Sequence, residues 1–497
     1  LKLITAVCFT CCFLCFFGCS SGPRAIPIEP PSLAIEKALL ETQNNTVTVY
    51  PAELPEDWWS LFEDEQLTYF IQQAFYANPD LQSARANILM AAYNADKLKA
   101  SLFPNFNLGG DILREKLSET ALIPFNTMPP NGPAPPLTTP LTAGANGIPV
   151  YFTQFETEVL LSYDIDLWGK NRNTWVAALG QMWASAADEI FRRLQLGIAV
   201  AQTYFRLQIY YKRLEVAQEL LETELEYVRT VEKRINNNID NHISLQTAED
   251  SLAAARQTWD QLISEIAVDE SRLRAYLAGN FLEEVERVEI AQKSLPKVPL
   301  PGDLPLHLIS HRPDITAQLW MIESAGKQIN VAKAGFYPDF TLNGLFGYQT
   351  IHLHKLFQWP STFYNIDPAF TLPLFDGGRL LANLRGSEVN YDLAILQYNQ
   401  LIINAVQEVL SSLAVLQQNQ NIWKDFEQRK FNQNEIYRLT KLKVEHNLSS
   451  VLDLLTSKRN QIFARDRELT ALGNTLQSIL SLIRALGGGY QTCNCEG

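Results

Sequence analysis

The chain has 497 residues and a formal net charge of −13, from 41 Lys plus Arg against 54 Asp plus Glu. That balance excludes a general nucleic-acid binder, which carries a basic excess, and a hydrophobic content of 46% is that of an ordinary folded protein rather than a multi-helix membrane protein. The seven cysteines all lie near the ends, Cys8, Cys11, Cys12, Cys15 and Cys19 at one and Cys493 and Cys495 at the other, so the body has no disulfide framework.

Residues 1–18 read as a secretory signal peptide: Lys2 is followed by an apolar run too short for a comfortable bilayer span. The run ends in Phe16-Phe17-Gly18-Cys19, which resembles a bacterial lipobox and makes Cys19 the expected lipidation site. Residues 19–55 read as a Pro-containing tether. Leu67, Phe70, Ile71, Ala74 and Phe75 then fall at helical spacing, and helical character continues from Leu81 to Ala100. Pro104 ends it, because proline has no N–H to continue the ladder.

Beyond Pro104 the period changes from helical to two. Phe106, Leu108, Gly110 and Ile112 alternate with Asn105, Asn107, Gly109 and Asp111. A Pro-, Gly- and Thr-rich loop over 124–149 leads to FETEVLLSYDIDLWG. There Phe155, Thr157, Val159, Leu161, Tyr163, Ile165 and Leu167 share one parity. Glu156, Glu158, Ser162, Asp164 and Asp166 share the other, broken only by Leu160. Two such strands make a hairpin over about 103–168 with one greasy and one acidic face. Two long helices follow over about 170–280. Leu207, Leu214, Leu221, Val228 and Ile235 recur every seven residues in the first, and Leu245, Leu252, Trp259, Ile266 and Leu273 in the second. Such seams imply coiled-coil packing, and about 60 residues at 1.5 Å each give a helix of roughly 90–100 Å.

The same order then recurs. A linker over 283–305 carries Pro296, Pro299, Pro301 and Pro305. A second block, 306–486, holds a helix, a hairpin over about 338–376 and two long helices over about 378–486. In its hairpin Phe340, Leu342, Gly344, Phe346 and Tyr348 alternate with Thr341, Asn343 and Gln349. Tyr364, Ile366, Phe370, Leu372 and Leu374 repeat the pattern. Its seven-residue seams are Ile402, Val409, Leu416, Trp423 and Leu448, Leu455, Ile462, Leu469, Leu476, Ile483. Gly169, Gly377 and Gly378 stand where strand becomes helix. Asn238 and Asn447 stand where one long helix turns into the next, a place that asks for a left-handed residue. Residues 487–497, opening with three glycines, read as a flexible tail.

Catalytic signatures are missing: there is no Walker loop, no G-x-S-x-G and no H-E-x-x-H. Of the six histidines only His352 and His354 have the spacing of a strand-face metal pair, and a solvated outer loop is their expected place. No enzyme activity, cofactor or metal is expected. Four two-sided strands cannot close a barrel, and open edges cannot sit in lipid, so closure by several chains is required. Two copies would bring eight strands and three copies twelve, of which the larger ring leaves a likelier water-filled bore. An envelope spacer or adhesin built on the coiled coils is the rival reading, and it leaves the two-faced hairpins unexplained.

LPEDWWSLFEDEQL (54–67), NPDLQSARANI (78–88), SYDIDLWGKNR (162–172), RPDITAQLWMIESAGKQINVAKAGFYPDFTLNG (312–344) and LPLFDGGRLLANL (372–384) together resemble the TolC/OprM family of outer-membrane efflux channels, in its NodT-like lipoprotein branch. The resemblance implies an α+β, mostly α fold with an internal two-fold repeat. It implies a homotrimer whose chains give four strands each to a transmembrane β-barrel in outer-membrane lipid, continuous with a long coiled-coil tunnel in the periplasm. It implies a periplasmic adaptor and an inner-membrane pump as partners, and drugs or other toxic small molecules as cargo. Ser20 after Cys19 fits outer-membrane sorting of the lipoprotein. By the same resemblance Asn238, Ile239, Asp240 and Asn241, and Asn447, Leu448, Ser449 and Ser450, are the tips that dock the adaptor, although the family usually places Gly first. Asp453 in VLDLL is the expected pore gate, with Ser244 at the matching place and Asp240 as its substitute, and Arg438, Lys441 and Lys443 as cations to offset it. The alternative for Asp453 is a solvated charge on a helix surface.

Overall fold

A computed structural model describes residues 54–116, 150–279, 295, 296, 298 and 311–490. Cys19, the signal peptide, the 124–149 loop and most of the linker and tail lie outside the described residues. The elements are α1 (Glu65–Ala77), α2 (Pro79–Lys99), β1 (Asn105–Lys116), β2 (Tyr151–Ile165), α3 (Lys170–Asn236), α4 (His242–Tyr276), α5 (Pro313–Ala334), β3 (Asp339–Thr350), β4 (Thr362–Thr371), α6 (Arg379–Glu445) and α7 (Val451–Ala485). The duplication extends to length. Both α3 and α6 have 67 residues, and both α4 and α7 have 35.

The chain forms two compact units. The first holds residues up to Ala86, Ala184–Leu319 and Asp392 onward. Its core includes much of the seven-residue seams: Leu207, Leu252, Ile266, Leu273, Val409, Leu416, Leu455, Ile462, Leu469, Leu476 and Ile483 are all buried, as are Trp58, Leu67, Phe70, Ile71 and Tyr204 beside them. Each seam side chain fills a space between side chains of a facing helix, which is why the spacing holds over so many turns. Leu448 breaks the rule. It belongs to the seam by count, yet it is exposed.

Short signals start each helix of this unit. Asp64 caps α1, accepting the Leu67 N–H at 2.9 Å and the Tyr204 hydroxyl at 2.8 Å. Asn78 stops α1 and starts α2: its side-chain oxygen accepts the Asp80 N–H, and its amide donates to the Tyr276 carbonyl at 3.2 Å. Pro79 then occupies the first helical position, where no N–H is needed. The second repeat begins α5 in the same way with Arg312-Pro313-Asp314-Ile315. Here the leading residue is a buried cation. Arg312 donates to Asp314 at 2.8 Å, to Glu408 at 3.0 Å and to the Ala485 carbonyl at 2.9 Å, and Arg484 shares Glu408. One guanidinium thus ties the start of α5 to α6 and to the end of α7.

Gly487, Gly488 and Gly489 correct the expectation of a loose tail from residue 487. All three are buried with positive φ, and a Cβ on them would collide with the His311 backbone, the Leu194 side chain and the Pro55 backbone. Glycine is required both for the left-handed turn and for the close approach. Leu54, expected in the tether, is also buried.

The second unit holds Asn87–Trp183 and Trp320–Tyr391. Its sheet has the order β1-β2-β3-β4, antiparallel throughout. Beneath the sheet the start of α3 packs on α5: Ser324 donates to the Ala177 carbonyl at 2.8 Å, and the Trp183 and Trp320 rings lie 6.1 Å apart. Two strand expectations shift. β2 stops at Ile165, before Asp166 and Leu167, and β4 stops at Thr371, before Leu372 and Leu374. In each case the next carboxylate is drawn out of the sheet to cap the helix that follows.

Arg312 is a buried charge whose removal leaves Asp314 and the buried Ala485 carbonyl without its donors. Arg312→Met should lower the unfolding free energy by about 1–3 kcal/mol, the usual cost of leaving a buried acceptor unsatisfied. Chemical denaturation followed by helical circular dichroism measures it, and a loss below about 1 kcal/mol would contradict the clamp.

Candidate functional site

Register decides what the sheet can do. Phe106 pairs with Leu161, Leu108 with Val159, and Ile112 with Phe155. Val159 pairs on with Phe346, and Ile165 with Phe340. Phe346 pairs with Tyr364, and Phe340 with Phe370. Paired residues share a face, so the apolar parities of all four strands coincide on one side of the sheet. The other side carries Asp111 opposite Glu156, Glu156 opposite Gln349, Asp164 opposite Thr341 and Asn343 opposite Asp367. Glu156 accepts from both Gln154 and Gln349. Leu160, the break in the alternation, pairs with Leu345 on this same polar face. On the apolar face Phe106, Leu108, Ile112, Ile366 and Phe370 are exposed within the chain.

The two strand-to-helix turns share a device that parity alone did not show. Asp166 accepts the Asn171 and Arg172 N–H groups at 3.1 and 2.8 Å. Asp376 accepts those of Gly378 and Leu380 at 3.0 and 2.8 Å. Asp166, expected on the acidic strand face, is therefore a helix cap: the free N–H groups at a helix start outcompete a strand position. Gly169, Gly377 and Gly378 have φ of 72°, 69° and 89°. Trp168 was missed by the sequence reading. Its indole N–H donates to the Pro338 carbonyl at 2.8 Å, and its ring stacks on Tyr337 at 4.7 Å. Its place between a capping Asp and a turn Gly was the available signal.

The two helix–helix tips match residue for residue. Asn238 and Asn447 both have φ of 57°. Ile239 N–H donates to the Arg234 carbonyl at 2.8 Å, and Leu448 N–H to the Lys443 carbonyl at 2.7 Å. Asn238 N–H reaches Ile235, and Asn447 N–H reaches Val444. This is the Schellman pattern, in which the residue after the left-handed one usually folds its apolar side chain back on the helix. Here Ile239 is 62% exposed and Leu448 76%. The return helices are capped alike: Asn241 accepts the Ser244 N–H at 3.0 Å, and Ser450 accepts the Asp453 N–H at 3.1 Å. The tips also share a small core, with Leu452 packed beside Ile235 and Leu245 against Val231 and Ala248.

Asp453 is bound into its own turn. One carboxylate oxygen accepts from Ser450 N–H at 3.0 Å and from the Ser450 and Ser449 hydroxyls at 2.8 Å each, which completes a capping box. The Ser450 backbone bond, then the two hydroxyls, then the Arg234 charge hold its carboxyl below the ordinary range. Asp240 is also held low, by Ser244, by the Asn241 N–H and by Arg234, whose Nε lies 3.1 Å away. Arg234 of the other tip thus adds its charge to what holds Asp453 low, while its guanidinium is bonded to Asp240. Of the expected partners, Arg438 instead pairs with Glu435 at 3.0 Å. Arg234 was missed because nothing in residue spacing relates two tips that lie so far apart in sequence.

His352 and His354 sit in the β3–β4 connection with rings 5.8 Å apart. Among the described residues no group of three His, Cys, Asp or Glu side chains is placed to hold a metal, and no helix is long and apolar enough to cross a membrane.

Because the native pKa of Asp453 is depressed, its capping contribution is full above the ordinary Asp value, about 4. It is lost as pH falls from there through the lowered native value. Protection of the Leu454 and Leu455 amides from hydrogen exchange, relative to the free-peptide rate at each pH, should fall over that acid window, and Asp453→Ala should show the low protection already at pH 7. Protection that does not change with pH in the wild type would contradict the capping role.

The family described as "Outer membrane efflux protein" matches residues 70–279 and 304–488. The multidrug resistance outer membrane protein MdtP of Escherichia coli strain K12 is 29% identical over 442 residues, covering 87% of this chain and 86% of the relative. Among solved structures, the outer membrane protein VceC of Vibrio cholerae aligns with a TM-score of 0.71 at 26% identity, over 88% of this chain and 99% of that one. The CmeC outer membrane channel of Campylobacter jejuni aligns with a TM-score of 0.76 at 24% identity, over 89% of this chain and 90% of that one. The chain belongs to the outer membrane efflux protein family.

Proposed function

We propose that this outer-membrane efflux channel works as a homotrimer that passively conducts drugs and other toxic small molecules outward. An inner-membrane pump supplies the energy, and a periplasmic adaptor couples the two. The observation that carries the reading is the open sheet: its register sorts apolar from acidic side chains, while among the described residues β1 and β4 each keep an unpaired edge. Three copies of four strands would make twelve, with every edge paired, the apolar face in lipid and Glu156, Glu158, Asp111 and Asp164 toward the bore. The relative MdtP is named for multidrug resistance, which supports drugs as cargo.

The exposed Ile239 and Leu448, held out on rigid left-handed turns, are the proposed adaptor contacts, with Asp240, Asn241, Ser449 and Ser450 around them. Leu448 carries this proposal because a seam residue left exposed has an unmet partner. Asp453 is the proposed gate residue, and its bonds to Ser449 and Ser450 would fix the carboxylate near the pore axis. Ser244 takes the matching place on the first tip, with Asp240 beside it. Lipidation of Cys19 is proposed on sequence alone.

Planar-bilayer recording tests the channel: discrete conductance steps are expected, and their absence from an assembled oligomer would favour the spacer reading. Leu448→Asp should abolish pump-dependent efflux while trimers still form, whereas normal efflux would remove the docking role. Asp453→Ala should raise resting conductance and weaken block by divalent cations. An unchanged record would leave Asp453 as a helix cap only.

A further inference from the structure

The charges of the sheet are sorted by face more completely than a wet bore requires. Every strand carboxylate, from Asp111 on β1 to Asp367 on β4, has the parity of the polar face. The strand cations, Arg114 and Lys116, have the parity of the apolar face. Both lie beyond Ile112, at the end of the sheet away from the helices. Arg114 donates to the Thr153 hydroxyl at 2.7 Å, and the Lys116 ammonium lies 5.5 Å from the Tyr151 ring centre.

The β3–β4 connection reaches the same end of the sheet. Its residues 351–361, IHLHKLFQWPS, include Lys355, His352 and His354 and no carboxylate. Two tight turns shape it, with the Lys355 N–H on the His352 carbonyl and the Ser361 N–H on the Gln358 carbonyl, each at 2.9 Å. The Phe357 ring meets Tyr348 edge-on at 5.7 Å, and Tyr348 has the parity of the apolar face. The loop therefore continues that face. Phe357 is 77% exposed and Trp359 81%. Among the described ion pairs none includes Lys355.

A chain of net charge −13 thus ends its lipid-side face in cations and aromatic rings. Aromatic side chains with a polar tip settle at the headgroup level of a bilayer. Guanidinium and ammonium groups bind phosphate oxygens through charge-assisted hydrogen bonds. We infer that the loop end of the apolar face is a binding surface for phosphate-bearing anionic lipid headgroups. Arg114, Lys116 and Lys355 take the phosphates, while Tyr151 and Trp359 seat at the boundary between headgroups and acyl chains and Phe357, packed on Tyr348, turns to the acyl side. The inference rests on the outer-membrane channel reading and adds the lipid class that the channel recruits.

The test uses the full chain reconstituted in phosphatidylcholine vesicles containing phosphatidylglycerol, with conductance recorded on the same preparation. Either the anionic or the neutral lipid carries acyl-chain bromine, which quenches nearby tryptophan. The Trp359 emission is the difference between the wild type and Trp359→Phe. Brominated phosphatidylglycerol should quench it at least about fivefold more, per mole of lipid, than brominated phosphatidylcholine, the ratio that a single surface cation, here Lys355 in the same loop, produces at about 1 kcal/mol. Replacing Arg114, Lys116 and Lys355 by Gln should bring the two lipids to parity with conductance unchanged. Lys355→Gln alone, outside the strands, should reduce the excess even where the triple variant fails to assemble. Equal quenching by the two lipids in a conducting wild-type channel would overturn the inference, and so would quenching by neither. A wild type that inserts but does not conduct would overturn the channel reading, and this inference with it.

Discussion

Backbone hydrogen bonding in lipid is the constraint on which the rest depends. In a bilayer no water is present to satisfy an unpaired N–H or C=O, so a strand must have a partner on both sides. Among the described residues of one chain the four strands satisfy three pairings and leave the outer edges of β1 and β4 open. The apolar side chains of the same sheet are exposed within the chain. A protein that is an outer-membrane efflux channel must resolve both problems at once, and association of copies around a closed sheet resolves both. The side-chain alternation then needs no further specification, because closing the ring puts one parity in lipid and the other around water.

The helices follow a different rule. Their seams repeat every seven residues and are buried by one another, and their turns are made by residues tolerant of the left-handed region. The tips show how little sequence such a turn requires. Asn238 and Asn447 supply the conformation, and Asn241 and Ser450 the cap. What remains is exposed aliphatic side chains, Ile239 and Ile243 at one tip and Leu448 and Val451 at the other, and one carboxylate at each, Asp240 or Asp453, already committed to hydrogen bonds. This makes Asp453 a residue with two possible duties: the capping bonds that hold the turn would also present its charge at a fixed position.

Much of this architecture was legible in the residues. Alternation located all four strands because a half-buried strand has a side-chain period of two. The seven-residue spacing located the four long helices because supercoiled helices bury every third or fourth residue. Gly169, Gly377, Gly378, Asn238 and Asn447 were legible because few residues accept positive φ without strain. These are local constraints, and a local constraint leaves its mark in adjacent residues.

The sequence by itself therefore determined the repeat, the type of each element, the two-faced strands and the left-handed turns. Only the tertiary structure decided the rest: that Asp166 leaves the strand face to cap α3, that Arg312 clamps three helices, that Gly487–Gly489 are buried against His311, Leu194 and Pro55, and that Arg438 pairs with Glu435 while Arg234 adds its charge near Asp453. Each of these joins groups from separate elements or makes one group choose between competing partners. Their free energies depend on distance and burial in the folded chain, and neither quantity is written in the spacing of residues along it.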